Sequence, residues 1–323
     1  MCIRDSLKAR QAYLHYEREL VEGLTEKLTL NYRTFFSVAD GINFKQVQTD
    51  GTVSDVDQFH SMEVDLETHY GPGQKWFESY FGRAPLTYFK PVTTFNYTLG
   101  FINGLNNKNY NYHKFELLVK HHWANRLGTT KYEAKAGKVF GTAPYPLLTM
   151  HQGNQSFVYN RFAFNVMSEF EFISDQYASL SVAHHFGGLI MNRIPLIKKL
   201  KLRSLITGKI LYGNISNKNR DLVLLPAGAS SLDDRYIYDY TVDDDTFELT
   251  PSYKASEKYY LELGFGIENI FKVIRVEAIW RITQRDKIDR FEPTYDATTG
   301  ALNGYNPIGV TKWGIKIALA PSL

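Results

Sequence analysis

Residues 259–267 read YYLELGFGI, and this stretch decides the fold. Its side chains alternate, with Leu261, Leu263 and Phe265 at odd positions and Glu262 and two glycines at even positions. A period of two is what a β-strand imposes, because successive side chains point to opposite faces of the sheet. The stretch therefore predicts a long strand with one apolar and one polar face.

Two later segments repeat this pattern. Residues 274–282 alternate between apolar side chains and the charged Arg275, Glu277 and Arg281, and residues 313–319 alternate again. Strands of soluble sandwiches usually run about five or six residues. The alternating runs here are longer, carry aromatic residues near their ends, and match the roughly 9–11 residues of a tilted transmembrane strand. We therefore predict strands with lipid on one face and water on the other.

The composition agrees with this prediction and excludes other classes. The chain has 22 Tyr and 21 Phe but one Cys, and aromatic residues are enriched in strands and in the girdles of membrane barrels. A single cysteine excludes a disulfide framework and a cysteine-built metal site. No window approaches the about 18 apolar residues of a spanning helix. A net charge of +3 is too small to indicate a nucleic-acid partner.

Similar patterns along the chain predict about eleven strands, joined by connections that are mostly long and short in turn. Outer-membrane barrels have long extracellular loops and short periplasmic turns. We therefore predict an all-β fold, an antiparallel transmembrane β-barrel that is incomplete, with about eleven strands of about 16. The predicted extracellular loops are 45–57, 102–111, 141–175, 214–256 and 284–306; the predicted periplasmic turns are 20–26, 123–128, 187–202 and 268–271, with the long connection 71–88 on the same side.

The first residues bear on domain organisation. Residues 1–6, MCIRDS, lack the charged region and apolar stretch of a signal peptide, and we interpret them as a sequencing or assembly artefact. Residues 7–323 are then the C-terminal part of one barrel domain, whose N-terminal strands and N-terminal domain are missing. The odd number of predicted strands agrees with this, because bacterial single-chain barrels have an even number.

No catalytic, cofactor-binding or metal site is predicted. The pairs His121-His122 and His184-His185 are adjacent on strands, so their side chains point to opposite faces and cannot chelate one ion. The acidic segment 233–245 lacks the spacing of a calcium-binding loop, which favours a solvated loop.

One turn combines positive charge with apolar residues, and it forms a candidate periplasmic rim. The basic residues are Lys198, Lys199, Lys201 and Arg203, and the apolar ones are Ile194, Leu196, Ile197 and Leu200. Two interpretations stay open: an amphipathic segment that lies on phospholipid headgroups, or a solvated turn whose apolar residues fill the lower end of the barrel.

A block of motifs carries a family resemblance. It includes FGTAPYPLL at 140–148, Gly153-Asn154, His184-His185-Phe186 with Gly188, and NRIPL at 192–196. This block resembles the C-terminal barrel of an uncharacterised family of Bacteroidota outer-membrane proteins, which carry an N-terminal carboxypeptidase-regulatory-like domain. That barrel is more distantly similar to the outer-membrane insertase superfamily of BamA and TamA type.

The resemblance implies a function and a site. It implies a non-enzymatic barrel in the bacterial outer membrane, without cofactors, that helps to insert or export proteins or lipids; its partners would be outer-membrane lipid and a protein or lipid cargo. It also implies that residues 141–175 fold into the lumen. Residues 151–154 read HQGN instead of the superfamily's Val-Arg-Gly, so the same arginine latch is not expected. The candidate lumen-loop residues are Pro144, Tyr145, Pro146, His151, Gly153 and Asn154, and the candidate lumen-wall residues are Glu262, Arg275, Glu277 and Arg281.

Two alternatives predict different structures. A passive pore or transporter barrel would have an open, charged lumen without a long loop folded inward. A soluble β-rich binding protein would bury its alternate apolar faces against each other.

Overall fold

The fold is seen in a computed structural model, which describes residues 8–37, 44–47, 53–79, 82–87, 90–105, 108–168, 171–216, 219, 238–242, 249–253, 259–285, 288–295 and 302–319. These residues form an all-β structure around one 11-stranded antiparallel sheet, with few helical turns. The predictions of an all-β class, antiparallel pairing and about eleven strands are confirmed. Residues 1–6, interpreted as an artefact, lie outside the described part of the chain.

The strands of the sheet follow the order of the chain, and each pairs with the next. They are β1 (Lys8–Val21), β2 (Leu24–Phe36), β3 (Gln58–Tyr70), β4 (Val92–Leu105), β5 (Lys108–Asn125), β6 (Gly128–Gly141), β7 (Gln176–Gly187), β8 (Arg203–Asn214), β9 (Tyr260–Ile270), β10 (Ile274–Arg281) and β11 (Trp313–Leu319).

Short elements occupy the connections. The helical ones are α1 (Pro195–Lys198) and the 3₁₀ turns Tyr145–Leu147 and Met191–Arg193. Two-stranded pairs are formed by Phe44–Val47 with Val53–Val56, Lys75–Ser79 with Gly82–Thr87, Thr149–Met150 with Ile173–Ser174, Tyr238–Val242 with Leu249–Tyr253, and Ile288–Tyr295 with Leu302–Gly309. Within the described residues, no helix is long and apolar enough to cross a membrane.

The antiparallel order places the connections alternately at two ends of the sheet. We call one the turn end; it carries the connections 22–23, 71–91, 126–127, 188–202 and 271–273. The loop end carries the others, including 142–175. The predicted loop 102–111 is wrong, because β4 and β5 extend through it until Leu105 pairs with Lys108. A register shift between Ile102 and Leu105 lets this Asn- and Gly-rich sequence close a bulged hairpin instead.

The two faces of the sheet differ in an unusual way. On the apolar face, large side chains such as Leu263, Phe265 and Trp313 are exposed, Trp313 to 60%. On the polar face, charged side chains are buried, with Glu262 at 2% and Glu277 at 0% exposure. The sheet is therefore apolar outward and polar inward, the reverse of the usual distribution in soluble proteins.

A modest apolar core lies at the loop end of the polar face. Phe35, Phe59, Ile102 and Tyr112 pack there against residues 143–148. A second cluster joins Met167 and Phe172 with Leu211 and Tyr260. These clusters fix the position of residues 142–175 on the polar face.

Candidate functional site

Residues 142–175, which we call the inserted loop, cover the polar face of the C-terminal strands. The loop connects β6 to β7 and contacts side chains of β8, β9, β10 and β11. Each of these contacts uses a side chain from an inward position of the alternating strand pattern.

Glu262 of β9 binds the loop backbone directly. The amide N–H groups of Asn165 and Val166 donate to its carboxylate oxygens over 3.0 and 3.2 Å. The hydroxyl of Tyr260 donates to the same carboxylate. A buried carboxylate needs such partners, because an unpaired charge away from water is strongly unfavourable.

Lys209 of β8 binds the same part of the loop from the other side. Its ammonium group donates to the carbonyl oxygens of Asn160, Arg161 and Ala163, the first two at 3.3 Å. These three acceptors match the three donors of an ammonium group. Lys209 and Glu262 pair across β8 and β9, so adjacent side chains of opposite charge hold one turn of the loop.

Arg281 of β10 forms an ion pair with Glu171 of the loop. Nη1 of Arg281 donates to Oε2 of Glu171 over 3.0 Å, and Nη2 donates to Oε1. The amide N–H of Ser168 also donates to Glu171. The side chains of Arg281 and Glu171 are only 0% and 4% exposed, so the pair is shielded from water.

Of the remaining predicted wall residues, Arg275 contacts the loop through one aromatic ring. Arg275 pairs with Glu277, which also accepts a hydrogen bond from Thr207. The Arg275 guanidinium lies over the ring of Tyr159, 4.2 Å from its centroid. Burial, with a smaller effect of Glu277, raises the pKa of Tyr159 to about 12, so the phenol stays neutral and its ring can receive the cation.

The inserted loop also pairs with the edge of the last strand. The N–H of Ile317 donates to the carbonyl of Phe157 over 2.9 Å, and the N–H of Tyr159 donates to the carbonyl of Ile317 over 2.8 Å. Lys316 of the same strand donates to the carbonyls of Asn154 and Ser156. Residues 157–159 thus occupy hydrogen-bonding groups of β11 that an added strand would use.

His151 anchors the base of the loop. Its Nε2 lies 3.1 Å from Oγ of Ser174, and its ring packs edge-on against Tyr177. Burial, reinforced by the charges of Lys135 and Lys114, lowers the pKa of His151 to about 3. The imidazole therefore stays neutral across the physiological range.

The other predicted loop residues serve the loop's own conformation. Asn154 donates to the carbonyl of Val158 and to the side chain of Asn165. A side chain at Gly153 would lie 2.2 Å from the backbone oxygen of Ser168, so only glycine fits there. Pro144 and Pro146 are buried, and the side chain of Tyr145 lies outside the described part.

The structure separates the predicted rim from this site. Lys198, Lys199, Lys201 and Arg203 lie at the turn end and are exposed, whereas the inserted loop enters from the loop end.

Sequence reasoning did not single out Glu171, Lys209 or Lys316 as loop contacts. Lys209 and Lys316 occupy inward positions of their strands, so strand parity could have identified both.

Among the described residues, no group of three or more His, Cys, Asp or Glu side chains could hold a metal ion. Asp175 is bound by Ser216 and Asn219, which fixes the end of the loop to the connection after β8. Contacts from Glu262, Lys209, Arg281 and Lys316 hold the rest of the loop in place.

Comparison with known proteins gives a family. Residues 8–220 match the C-terminal domain of a family of unknown function, DUF5686. The match covers more than half of the 323-residue chain, and the protein belongs to this family. No curated protein matches the chain.

Proposed function

We propose that this chain forms a membrane-embedded β-barrel domain of the bacterial outer membrane. The observation that carries this proposal is the reversed distribution of side chains, with Leu263, Phe265 and Trp313 exposed and Glu262 and Glu277 buried. An exposed apolar sheet face is favourable in lipid, because the lipid tails are themselves apolar. The opposite face of such a sheet then encloses the polar groups. A soluble binding protein would instead bury the apolar face.

The positions of exposed aromatic residues support the same proposal. Trp280 and Trp313 pair across β10 and β11 near the loop end, and Trp123 is exposed near the turn end. On β5, Phe115 and Trp123 lie on the same face, about 26 Å apart along the strand. With the usual strand tilt this separation spans about 20 Å along the membrane normal, most of the about 25 Å apolar band of outer-membrane barrels.

We propose further that the domain is non-enzymatic and insertase-like, assisting the insertion or export of proteins or lipids. The long loop bound to the polar face of the last strands supports this, because it is the arrangement that the sequence's resemblance to the BamA and TamA superfamily implies. The mechanism would be lateral, through local thinning of the bilayer and through the edge of β11 once residues 157–159 have left it. The alternative of a passive pore or transporter is less well supported, because the inserted loop covers the face that a channel would need.

Two experiments test the proposal. When the chain is expressed behind a bacterial secretion signal, it should fractionate with the outer membrane, and its unheated band should migrate faster than its heated band on a semi-native gel. Liposomes that contain it should then accelerate the assembly of a denatured model barrel, with little ion conductance. A soluble protein without a mobility shift would contradict the membrane proposal. A membrane protein that conducts ions but does not accelerate assembly would contradict only the insertase-like activity.

A further inference from the structure

The connection between β7 and β8 has a strongly one-sided charge. Residues 188–203 read GLIMNRIPLIKKLKLR, which contains Arg193, Lys198, Lys199, Lys201 and Arg203 and no acidic residue. Like charges that are close together in one connection repel one another unless an anionic partner is present. The sequence of this turn therefore favours contact with negative charge.

Large apolar side chains accompany these cations and are not covered. None of residues 189–203 is buried, and Leu196 is 83% exposed. The neighbouring connection between β9 and β10 presents Phe271, which is 86% exposed, beside Lys272. Exposing the apolar area of Leu196 and Phe271 to water is unfavourable, so their outward position indicates an apolar environment around this turn.

The two connections form one surface. Nδ2 of Asn269 donates to the carbonyl of Lys201 over 2.7 Å, which links them directly. Lys201, Phe271 and Lys272 have positive φ values of 52°, 50° and 71°. This conformation is unfavourable for residues with a Cβ, and such strain persists where surrounding structure or function requires it.

We propose that this basic turn surface, residues 193–203 with 271–273, binds the anionic phospholipid headgroups of the leaflet at the turn end. The inference rests on the proposed membrane location. The cations match the phosphate groups, while Leu196 and Phe271 enter the boundary between headgroups and acyl chains. The strands that border the surface expose Phe265 and Ile206 on the apolar face, so the surface continues the proposed lipid contact.

The same surface distinguishes lipid from an acidic protein partner. An acidic protein would pair with the lysine charges, but its acidic side chains would give Leu196 and Phe271, which lie beside the lipid-facing strands, no apolar contact. In a lipid leaflet, the basic side chains contact the phosphate groups of the headgroup layer and the apolar side chains contact the hydrocarbon below it.

The test measures lipid selectivity of the full chain in phosphatidylcholine vesicles. Spin-labelled phosphatidylglycerol and spin-labelled phosphatidylcholine, with the same labelled chain, are added separately, and electron paramagnetic resonance gives the motionally restricted fraction of each. We expect phosphatidylglycerol to be preferred by about fivefold at low salt, the effect of about one lysine near an anionic lipid, and less at high salt.

Matched variants locate the effect. In the triple variant Lys198→Gln/Lys199→Gln/Lys201→Gln the preference should fall toward onefold, and the cations Arg193, Arg203 and Lys272, which remain, account for any residual preference. The control, Lys138→Gln/Arg285→Gln/Lys312→Gln, removes the same charge from exposed residues toward the loop end and should keep the preference. A heat-induced mobility shift confirms that each variant is folded.

The possible results separate the two proposals. Equal restriction of both lipids by the unmodified protein, or an equal loss of preference in both triple variants, would overturn the assignment of this surface while leaving the membrane location intact. No restricted lipid of either kind would overturn the membrane location itself. The variant Leu196→Ser/Phe271→Ser should reduce the restricted fraction of phosphatidylglycerol, and an unchanged fraction would contradict the role of these two side chains.

Discussion

Arg281 of strand β10 and Glu171 of the inserted loop form a two-point ion pair that is almost completely shielded from solvent. The two residues are 110 positions apart in the chain. Their pairing fixes the loop to the polar face of the sheet.

Removal of the arginine tests this ion pair. The variant Arg281→Met leaves Glu171 buried without its cation, which should destabilise the protein by about 3–5 kcal/mol. The double variant Arg281→Met/Glu171→Gln should recover much of the loss, because no unpaired charge remains. The measurement is the temperature at which the fast-migrating band disappears. Equal losses in the single and double variants would show that the pair is not coupled.

Lys209 should control how firmly the loop is held. In the variant Lys209→Met, the carbonyls of Asn160, Arg161 and Ala163 lose their donor, at about 1–3 kcal/mol for unsatisfied buried groups. Trypsin should then cleave after the exposed Arg161 about 5- to 140-fold faster, since about 1.4 kcal/mol corresponds to a factor of ten. The exposed Lys138→Met is the control and should not change the rate. An unchanged rate in Lys209→Met would mean that this lysine does not hold the loop.

Replacing Gly153 even by alanine should destabilise the inserted loop. The variant Gly153→Ala places a Cβ against the backbone oxygens of Ser168 and Met167, and the overpacking should destabilise the loop by about 1–3 kcal/mol. The control Gly314→Ala meets its nearest atom, a carbon of Val166, at 3.7 Å and should be nearly neutral. Protease protection of the loop measures both, and equal protection would contradict the close approach.

Acid should release the loop through His151. Its pKa is lowered to about 3 in the folded protein, whereas an unperturbed histidine titrates near 6.5. The depressed value means that its stability contribution is complete above pH about 6.5 and is lost as the pH falls toward the folded pKa, because only the undocked state binds the proton. At pH 5 the loss should be about 2 kcal/mol.

The variant His151→Gln provides the control for this pH dependence. Glutamine does not titrate, so its loop protection should vary much less between pH 7 and 5. Protection is measured at each pH with a protease that is active across the range. The same acid sensitivity in both proteins would assign the effect to another group.

The strands were predictable from sequence because each is encoded locally by a period of two. The loop predicted at 102–111 was too long, since Asn and Gly residues fit a loop and a bulged hairpin equally well. Parity also placed Glu262 and Arg281 on the inward face. The partner Glu171 was not predictable, because an irregular loop has no period that reveals which side chain meets a strand 110 residues later. Barrel closure and membrane location stay proposals.

The lipid-facing orientation of the sheet is tested most directly by spin-label accessibility in liposomes. After Cys2→Ser removes the one cysteine of the sequence, nitroxides are attached singly at Leu263→Cys and Ile315→Cys on the apolar face and at Gln155→Cys in the exposed part of the loop. Collisions with molecular oxygen should exceed those with a water-soluble nickel chelate at Leu263 and Ile315, and the order should reverse at Gln155. Greater access to the nickel chelate at Leu263 and Ile315, or access to neither reagent, would contradict a sheet whose apolar face lies in lipid.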